Sequence, residues 1–432
     1  MKLPKHLRPT PRIFIIAAAA ALLSACGPSE ADLKLPPPPK TVTEVDLERF
    51  VGESIGEPIG ERRPWVAHVR AVDLDEDGLL DVIACESKDS EVLWIRQQPD
   101  GSFEEIVIAS DAQAPVHAEV YDLDLDGDLD VLVSSMNIVF PNNDKIGALI
   151  ALENDGSENF TQRILLEKVE RVVDARAADM DKDGDLDIVV GQFGYDQGEV
   201  RWMRNDGNWN YTSEITLRLS GTVNVTIDDY NGDGWLDFAA LVSQQWEEIH
   251  LFENDAQGGF RKSRVIWGST NDDYAISGMS SADLNRDGKP DLVFTNGDGF
   301  GPNPVPGPRP WHGVQWLENK GNGFFKYNRI GDLGGAYSPL AVDIDHDGDM
   351  DVLALSSFND WSNPKAESMM LYRNDGDMKF TPVVLAYNPI QLLTLDAGDF
   401  DGSGRFSLVT GGFHAYTPYE RMSRLMIWRP QE

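Results

Sequence analysis

One acidic nonapeptide recurs along this chain, with the pattern Asp-x-Asp/Asn-x-Asp-Gly-x-x-Asp. Six copies are complete. They present Asp73, Asp75, Asp77 and Asp81; Asp122, Asp124, Asp126 and Asp130; Asp179, Asp181, Asp183 and Asp187; Asp229, Asn231, Asp233 and Asp237; Asp283, Asn285, Asp287 and Asp291; and Asp343, Asp345, Asp347 and Asp351. A seventh copy begins at Asp399 and has Ser403 and Ser407 where the others have acids. Oxygen side chains at positions one, three and five of a curling loop converge on one point. A glycine at six permits the turn, and a carboxylate at nine closes the set. That is the chemistry of a hard cation: calcium takes six to eight oxygen ligands at about 2.3–2.6 Å. About six Ca2+ ions are expected, with the seventh loop weak or empty. An Asp-Gly hairpin needs only one acid and one glycine, so four acids at fixed offsets exceed what a turn demands.

The closing position separates two kinds of calcium loop. A helix-flanked loop of the EF-hand type needs Glu at position twelve. Here position twelve is Ala84, Val133, Val190, Ala240, Phe294 or Ala354. The residues after each loop are short β-branched runs, such as Asp187 to Val190, which read as strands. Each loop therefore joins two strands.

Successive loops start 49 to 60 residues apart. Repeats of that length match propeller blades. Within each repeat a third strand runs into an Asn-Asp-Gly turn, at 154–156, 205–207 and 374–376. Asn-Gly and Asp-Gly pairs between apolar runs mark hairpins. An aromatic then opens a fourth strand: Phe103, Phe160, Tyr211, Phe260, Phe324 and Phe380. The expected fold is all-β, a seven-bladed β-propeller of four-stranded antiparallel blades. The chain ends on the third strand of blade seven, near Trp428. A strand around Asp46 to Ile55, with Phe50 in it, is expected to supply the fourth and close the ring, which removes open sheet edges.

These loops and their spacing resemble the FG-GAP/VCBS repeat family, the blades of integrin α-subunit propellers and of many exported bacterial proteins. The resemblance covers about residues 41–432. It implies structural calcium and a binding role.

The N-terminus reads as an address. Lys2, Lys5, Arg8 and Arg12 precede an apolar run from Ile13 to Leu23, the plan of a signal peptide over residues 1–25. The run is short of the roughly 20 apolar residues of a spanning helix. It ends Leu23-Ser24-Ala25-Cys26, which resembles a bacterial lipobox with Cys26 as the lipidated residue. Gly27 does not signal inner-membrane retention, so an outer-membrane anchor is expected. Residues 26–40, with prolines at 36–39, form a stiff tether. The folded domain spans 41–432 and is expected to be a monomer.

Composition excludes some partners. With 72 acidic against 37 basic residues the net charge is -35, which repels nucleic acid and anionic lipid. Membrane attachment is left to the lipid alone. Cys85 lies in an apolar run and reads as a small buried hydrophobe.

Two regions are candidates for function. The connections from second to third strands vary most and carry Tyr195, Trp246, Trp311, His312, Trp361 and His414. Such loops on a repeated scaffold usually carry function, and these side chains suit sugar or peptide contact or serve as loop anchors. The first strands line the channel. Five residues before the loops stand His68, His117 and Asp174, and three before stand Arg70, Glu119 and Arg176. Those groups could bind a transition metal, do acid–base work or simply hydrate the channel. The leading expectation is a glycan- or protein-binding module acting through the face opposite the calcium loops. The alternatives are a channel-mouth enzyme, since such propellers resemble those of some polysaccharide lyases and sugar dehydratases, with His68, His117, Asp174 and Arg176 as its residues, and an envelope scaffold.

Overall fold

The structure, a computed structural model, describes residues 50–431 apart from 258, 261 and 301–306. The signal segment, Cys26 and the proline tether lie outside the described residues.

Among the described residues 28 strands form seven four-stranded antiparallel sheets. Strand β1 is Phe50–Ser54. Blade one follows as β2 (Val66–Val72), β3 (Asp81–Glu86), β4 (Glu91–Gln97) and β5 (Phe103–Ala109), and the next five blades repeat this order. The acidic loop joins the first and second strands of every blade. In blade one the ninth residue, Asp81, is the first residue of β3 and pairs with Val72.

Each second strand is buried along its whole length, including Asp81–Glu86, Asp130–Ser135 and Asp351–Ser356. Such a strand lies between two sheets, and both of its faces read as apolar. Side chains alternate across the pleat. Ile83 and Cys85 therefore pack toward blade two, against Val131 and Val133. Val82 and Ala84 pack toward blade seven, against Val409 and Ile427. Seven large apolar clusters result, one for each seam of the ring. Burial also raises the Cys85 thiol far above its ordinary pKa, so it acts as core.

The ring closes as expected. Strand β1 pairs with the last strand, Leu425–Pro430, with Phe50 opposite Pro430 and Ser54 opposite Met426. Ile55 continues the seam by donating its N–H to Leu425 O at 3.2 Å.

Two local readings need correction. The fourth strand of blade five begins at Phe325, and Phe325 takes the place opposite Asn319 that Phe160 takes opposite Asn154. Phe324 is left exposed. Five residues separate Asn319 from Phe325, as five separate Asn154 from Phe160, so Phe324 falls on the last residue of the turn. In blade four the last strand begins at Lys262, while Phe260 turns into the core against Trp202.

Every inner strand carries a β-bulge near its start. The register slips at Ala67, Val116, Val173, Val223, Ser277 and Leu393, and over Ser338 and Pro339 in blade six. A bulge bends its strand and re-aims the neighbouring side chains. Here it precedes the positions that face the channel.

Candidate functional site

The loops have one backbone plan. The first Asp accepts the N–H groups of residues five and six: Asp77 and Gly78 to Asp73 at 3.0 and 2.9 Å, Asp233 and Gly234 to Asp229 at 3.1 and 2.8 Å. The fifth accepts from the seventh, as Leu79 to Asp77 at 2.9 Å. The glycine at six has a positive φ throughout, from 82° to 101°. So does the fourth residue, which sequence reading missed. It is glycine only at Gly232 and Gly402; Glu76, Leu125, Lys182, Arg286 and His346 hold φ of 55° to 64° instead. A side chain in that region costs roughly 1–2 kcal/mol, borne because the curl turns the oxygens inward.

The carboxylates converge. Oxygens of Asp73, Asp75 and Asp81 lie within 4.8 Å of one another, as do those of Asp122, Asp124 and Asp130, of Asp179, Asp181 and Asp183, and of Asp343, Asp345 and Asp347. Buried oxygens of Asp124, Asp181 and Asp343 have no donor. Burial and neighbouring carboxylates raise the pKa of Asp124, Asp181 and Asp345. Crowded, donor-poor, anionic oxygen sets fit a hard divalent cation. The seventh loop keeps the backbone plan, with Gly404 N donating to Asp399 at 2.8 Å and Ser403 Oγ accepting from Arg405 N at 3.2 Å.

The ninth Asp has a further task. It is fully buried in loops one to six. In loop two it accepts N–H bonds from Leu123 at 3.0 Å and Asn154 at 2.9 Å. Asn205, Asn254, Asn319 and Asn374 donate likewise to Asp187, Asp237, Asp291 and Asp351 at 2.7–2.8 Å. It thus ties the loop to the third strand. Burial pushes these carboxyls up, to about 7 for Asp130, Asp187, Asp237 and Asp351 and to about 6 for Asp81 and Asp291.

The residue before that bracing Asn or Gln sets the local charge. It is Arg96, Glu153, Arg204, Glu253, Glu318 and Arg373 in blades one to six. Both loops with Asn at position three, at Asn231 and Asn285, have Glu there. Arg96 ion-pairs with Asp75, whereas Glu318 lies 3.5 Å from the Asn285 amide.

The inner strands enclose a cavity of about 710 Å³. His68, Arg70, His117, Glu119 and Arg176 line it as expected; Asp174 stands behind His117, its Oδ1 3.2 Å from His117 Nδ1. The two imidazoles are 4.0 Å apart between ring centres, and with Glu119 they could hold a metal. Glu119 is claimed by two cations, Arg176 and, at 3.4 Å, Arg70. Burial holds both histidines well below their ordinary pKa, helped by His117 and Arg176 for His68 and by Arg176 and Arg70 for His117, so both are neutral imidazoles at neutral pH.

Several of these polar groups clasp the next blade. Ala118 N donates to His68 Nδ1 at 3.3 Å, Val225 N to Asp174 Oδ2 at 2.9 Å, Val69 N to Thr394 Oγ1 at 3.0 Å and Leu395 N to Ser338 Oγ at 3.1 Å. Neighbouring inner strands are not paired in any sheet. Side chains supply the missing acceptors, as buried N–H groups require.

On the face opposite the acidic loops the six loop candidates divide. Tyr195 and Trp246 are 49% and 38% exposed. Trp311 is half-buried, with its indole N–H on Asp273 O at 2.9 Å. The other three are anchors. His312 is buried and accepts Gly335 N at 3.1 Å. Trp361 packs with Ala366 and Ile390. His414 is buried with Nε2 2.9 Å from Ser423 O. Burial takes both histidines down to about 4. Of the six, Tyr195, Trp246 and Trp311 are thus the ones that reach the surface. Sequence reading also missed that aromatics from separate blades meet over this end of the channel. Phe300 touches Phe358 and Phe413 at 4.9 and 5.3 Å, and Trp65 stacks on Phe413 at 5.4 Å.

A search of the curated proteins finds no match. A family model for the FG-GAP-like repeat matches residues 59–133, 179–240 and 229–294. Those stretches carry loops one to five, and blades six and seven repeat the same strand plan with the ring closed by β1. The chain is an FG-GAP-repeat β-propeller of seven blades.

Proposed function

We propose that this propeller is a calcium-stabilised binding module, exported and lipid-anchored through Cys26, that takes a glycan or protein ligand on the face opposite its calcium loops. Calcium here is structural. Residues such as Asp122, Asp124 and Asp126 would hold it, supported by the ninth Asp. The bound ion would neutralise carboxylates that otherwise repel one another.

The observation that carries the binding reading is the cavity of about 710 Å³ beneath loops that expose Tyr195 and Trp246. Concave sites lined largely by apolar and aromatic side chains, with a few polar groups among them, are where ligands settle. A glycan array probed with the calcium-loaded protein tests it. Binding should fall at least tenfold in Trp246→Ala and Tyr195→Ala, while melting stays unchanged. Full binding by both variants would sink the surface assignment.

A second reading is favoured by one contact, His117 Nδ1 against Asp174 at 3.2 Å. A neutral imidazole oriented by a carboxylate can act as a base. Turnover of an acidic polysaccharide, abolished in His117→Gln, would establish it. Export and anchoring rest on residues 1–26. Among the described residues no helix is long and apolar enough to cross a membrane. Labelling with a lipid precursor, lost in Cys26→Ser, tests the anchor.

A further inference from the structure

We propose that Arg171 anchors an oxyanion-binding site inside the channel, at the end away from the calcium loops. Arg171 opens the inner strand of blade three and is 1% exposed. Its Nε donates to Phe193 O at 3.1 Å, and its Nη1 donates to Val139 O at 2.7 Å and Phe140 O at 2.8 Å. The guanidinium lies 4.6 Å over the Phe193 ring. Nη2 has no acceptor.

The charge is also unmatched. Arg70 and Arg176, the other arginines lining the cavity, have carboxylate partners. Among the described residues no carboxylate ion-pairs with Arg171, in a chain with 72 acidic residues. Three carbonyls satisfy its hydrogen bonds on two sides without neutralising it. A buried, unpaired ion is among the costliest features of a fold. Burial lowers its pKa only to about 10, so the guanidinium stays charged.

The surroundings favour an anion. The carbonyls take the Nε and Nη1 hydrogens and fix the guanidinium, leaving the two N–H groups of Nη2. Val139, Pro141, Val173 and Phe193 line the same cavity, and apolar walls strengthen attraction between opposite charges. A charged N–H donor such as Nη2 suits an oxygen of a carboxylate, sulfate or phosphate. His117, with Nδ1 3.2 Å from Asp174 and Nε2 3.5 Å from Glu119, lines the cavity too and offers the rest of the ligand a polar contact. The ligand class is a small molecule bearing one oxyanion. The site goes beyond the surface-loop reading and stands whether or not Trp246 and Tyr195 bind a glycan.

The test uses the calcium-loaded mature protein at constant ionic strength, with chloride as the replaced ion. Sodium sulfate, sodium glucuronate and uncharged glucose are titrated by calorimetry, and the arginine guanidinium nitrogen resonances are followed. Saturable binding of an anion, a shift of the Arg171 resonance and a loss of about tenfold or more in Arg171→Met are expected, the last from removal of a charge-assisted pair. Saturation by both anions marks a general oxyanion site; saturation by glucuronate alone marks a sugar carboxylate. If Arg171→Met does not fold, the wild-type resonance decides. The proposal is overturned if neither anion saturates, if glucose binds as well as glucuronate, or if folded Arg171→Met binds unchanged.

Discussion

Replacing Asp124 and Asp130 by alanine should separate two jobs within one loop. Asp130 is fully buried and accepts N–H bonds from Leu123 at 3.0 Å and Asn154 at 2.9 Å. Asp130→Ala strands two buried donors at about 1–3 kcal/mol each, hence about 2–6 kcal/mol with or without calcium. Asp124 Oδ1 has no donor, and the carboxylate is crowded by Asp126. Asp124→Ala should cost nothing in EDTA, where it relieves repulsion. In calcium at 100 times the dissociation constant it forfeits up to about 2.7 kcal/mol, the linkage energy of one site. Six such sites together rival the whole 5–15 kcal/mol of a typical fold, so EDTA should lower the wild-type melting temperature sharply. Calorimetric melting of both variants in each buffer decides. Equal loss by Asp124→Ala in both buffers would refute the ligand role. Silence of Asp130→Ala in EDTA would refute the bracing role.

Arg96→Gln should strengthen calcium binding in blade one, because it frees Asp75 from an ion pair; a calcium titration by calorimetry should show the weakest step move to lower concentration. Glu247 is buried and its pKa is pushed up to about 8, chiefly by burial. The folded state therefore holds a proton that the unfolded state, with its ordinary glutamate, releases. Its stabilising effect is present at low pH and lost as pH rises toward 8. Glu247→Gln should raise the melting temperature by a few degrees at pH 8 and leave it unchanged near pH 4; an equal effect at both would dismiss this account. A side chain at Gly52 would meet Trp428 Cε3 and Met426 Cε at 2.8 Å. Gly52→Val should unseat β1, lower the melting temperature and produce dimers or larger species on size exclusion through the freed edge.

The acidic loops were legible because every position demands a residue type, and four demands repeated six times leave little freedom. Ring closure was legible because the last blade lacked a strand and Phe50 lay upstream with the right spacing. The channel lining followed from fixed offsets to the loops. What escaped was set by distant packing. Nothing in Glu76, Leu125 or Lys182 announces a left-handed backbone, because the curl of the whole loop imposes it. His312, Trp361 and His414 looked like loop chemistry, yet long loops fold back and bury them against residues far along the chain. Arg171 drew no notice because an arginine at a strand start is ordinary; only the absence of a counter-charge around it makes it unusual.

The clasps between inner strands carry a consequence for how the propeller can respond. The groups that rivet one blade to the next, His68, Asp174, Ser338 and Thr394, sit at or directly behind the wall of the channel. A guest that borrows a hydrogen bond from one of them loosens a joint, and a guest that adds one tightens it. Occupancy and stiffness of the ring are therefore one thermodynamic quantity. The hub cannot be re-cut for a new guest without retuning the wheel.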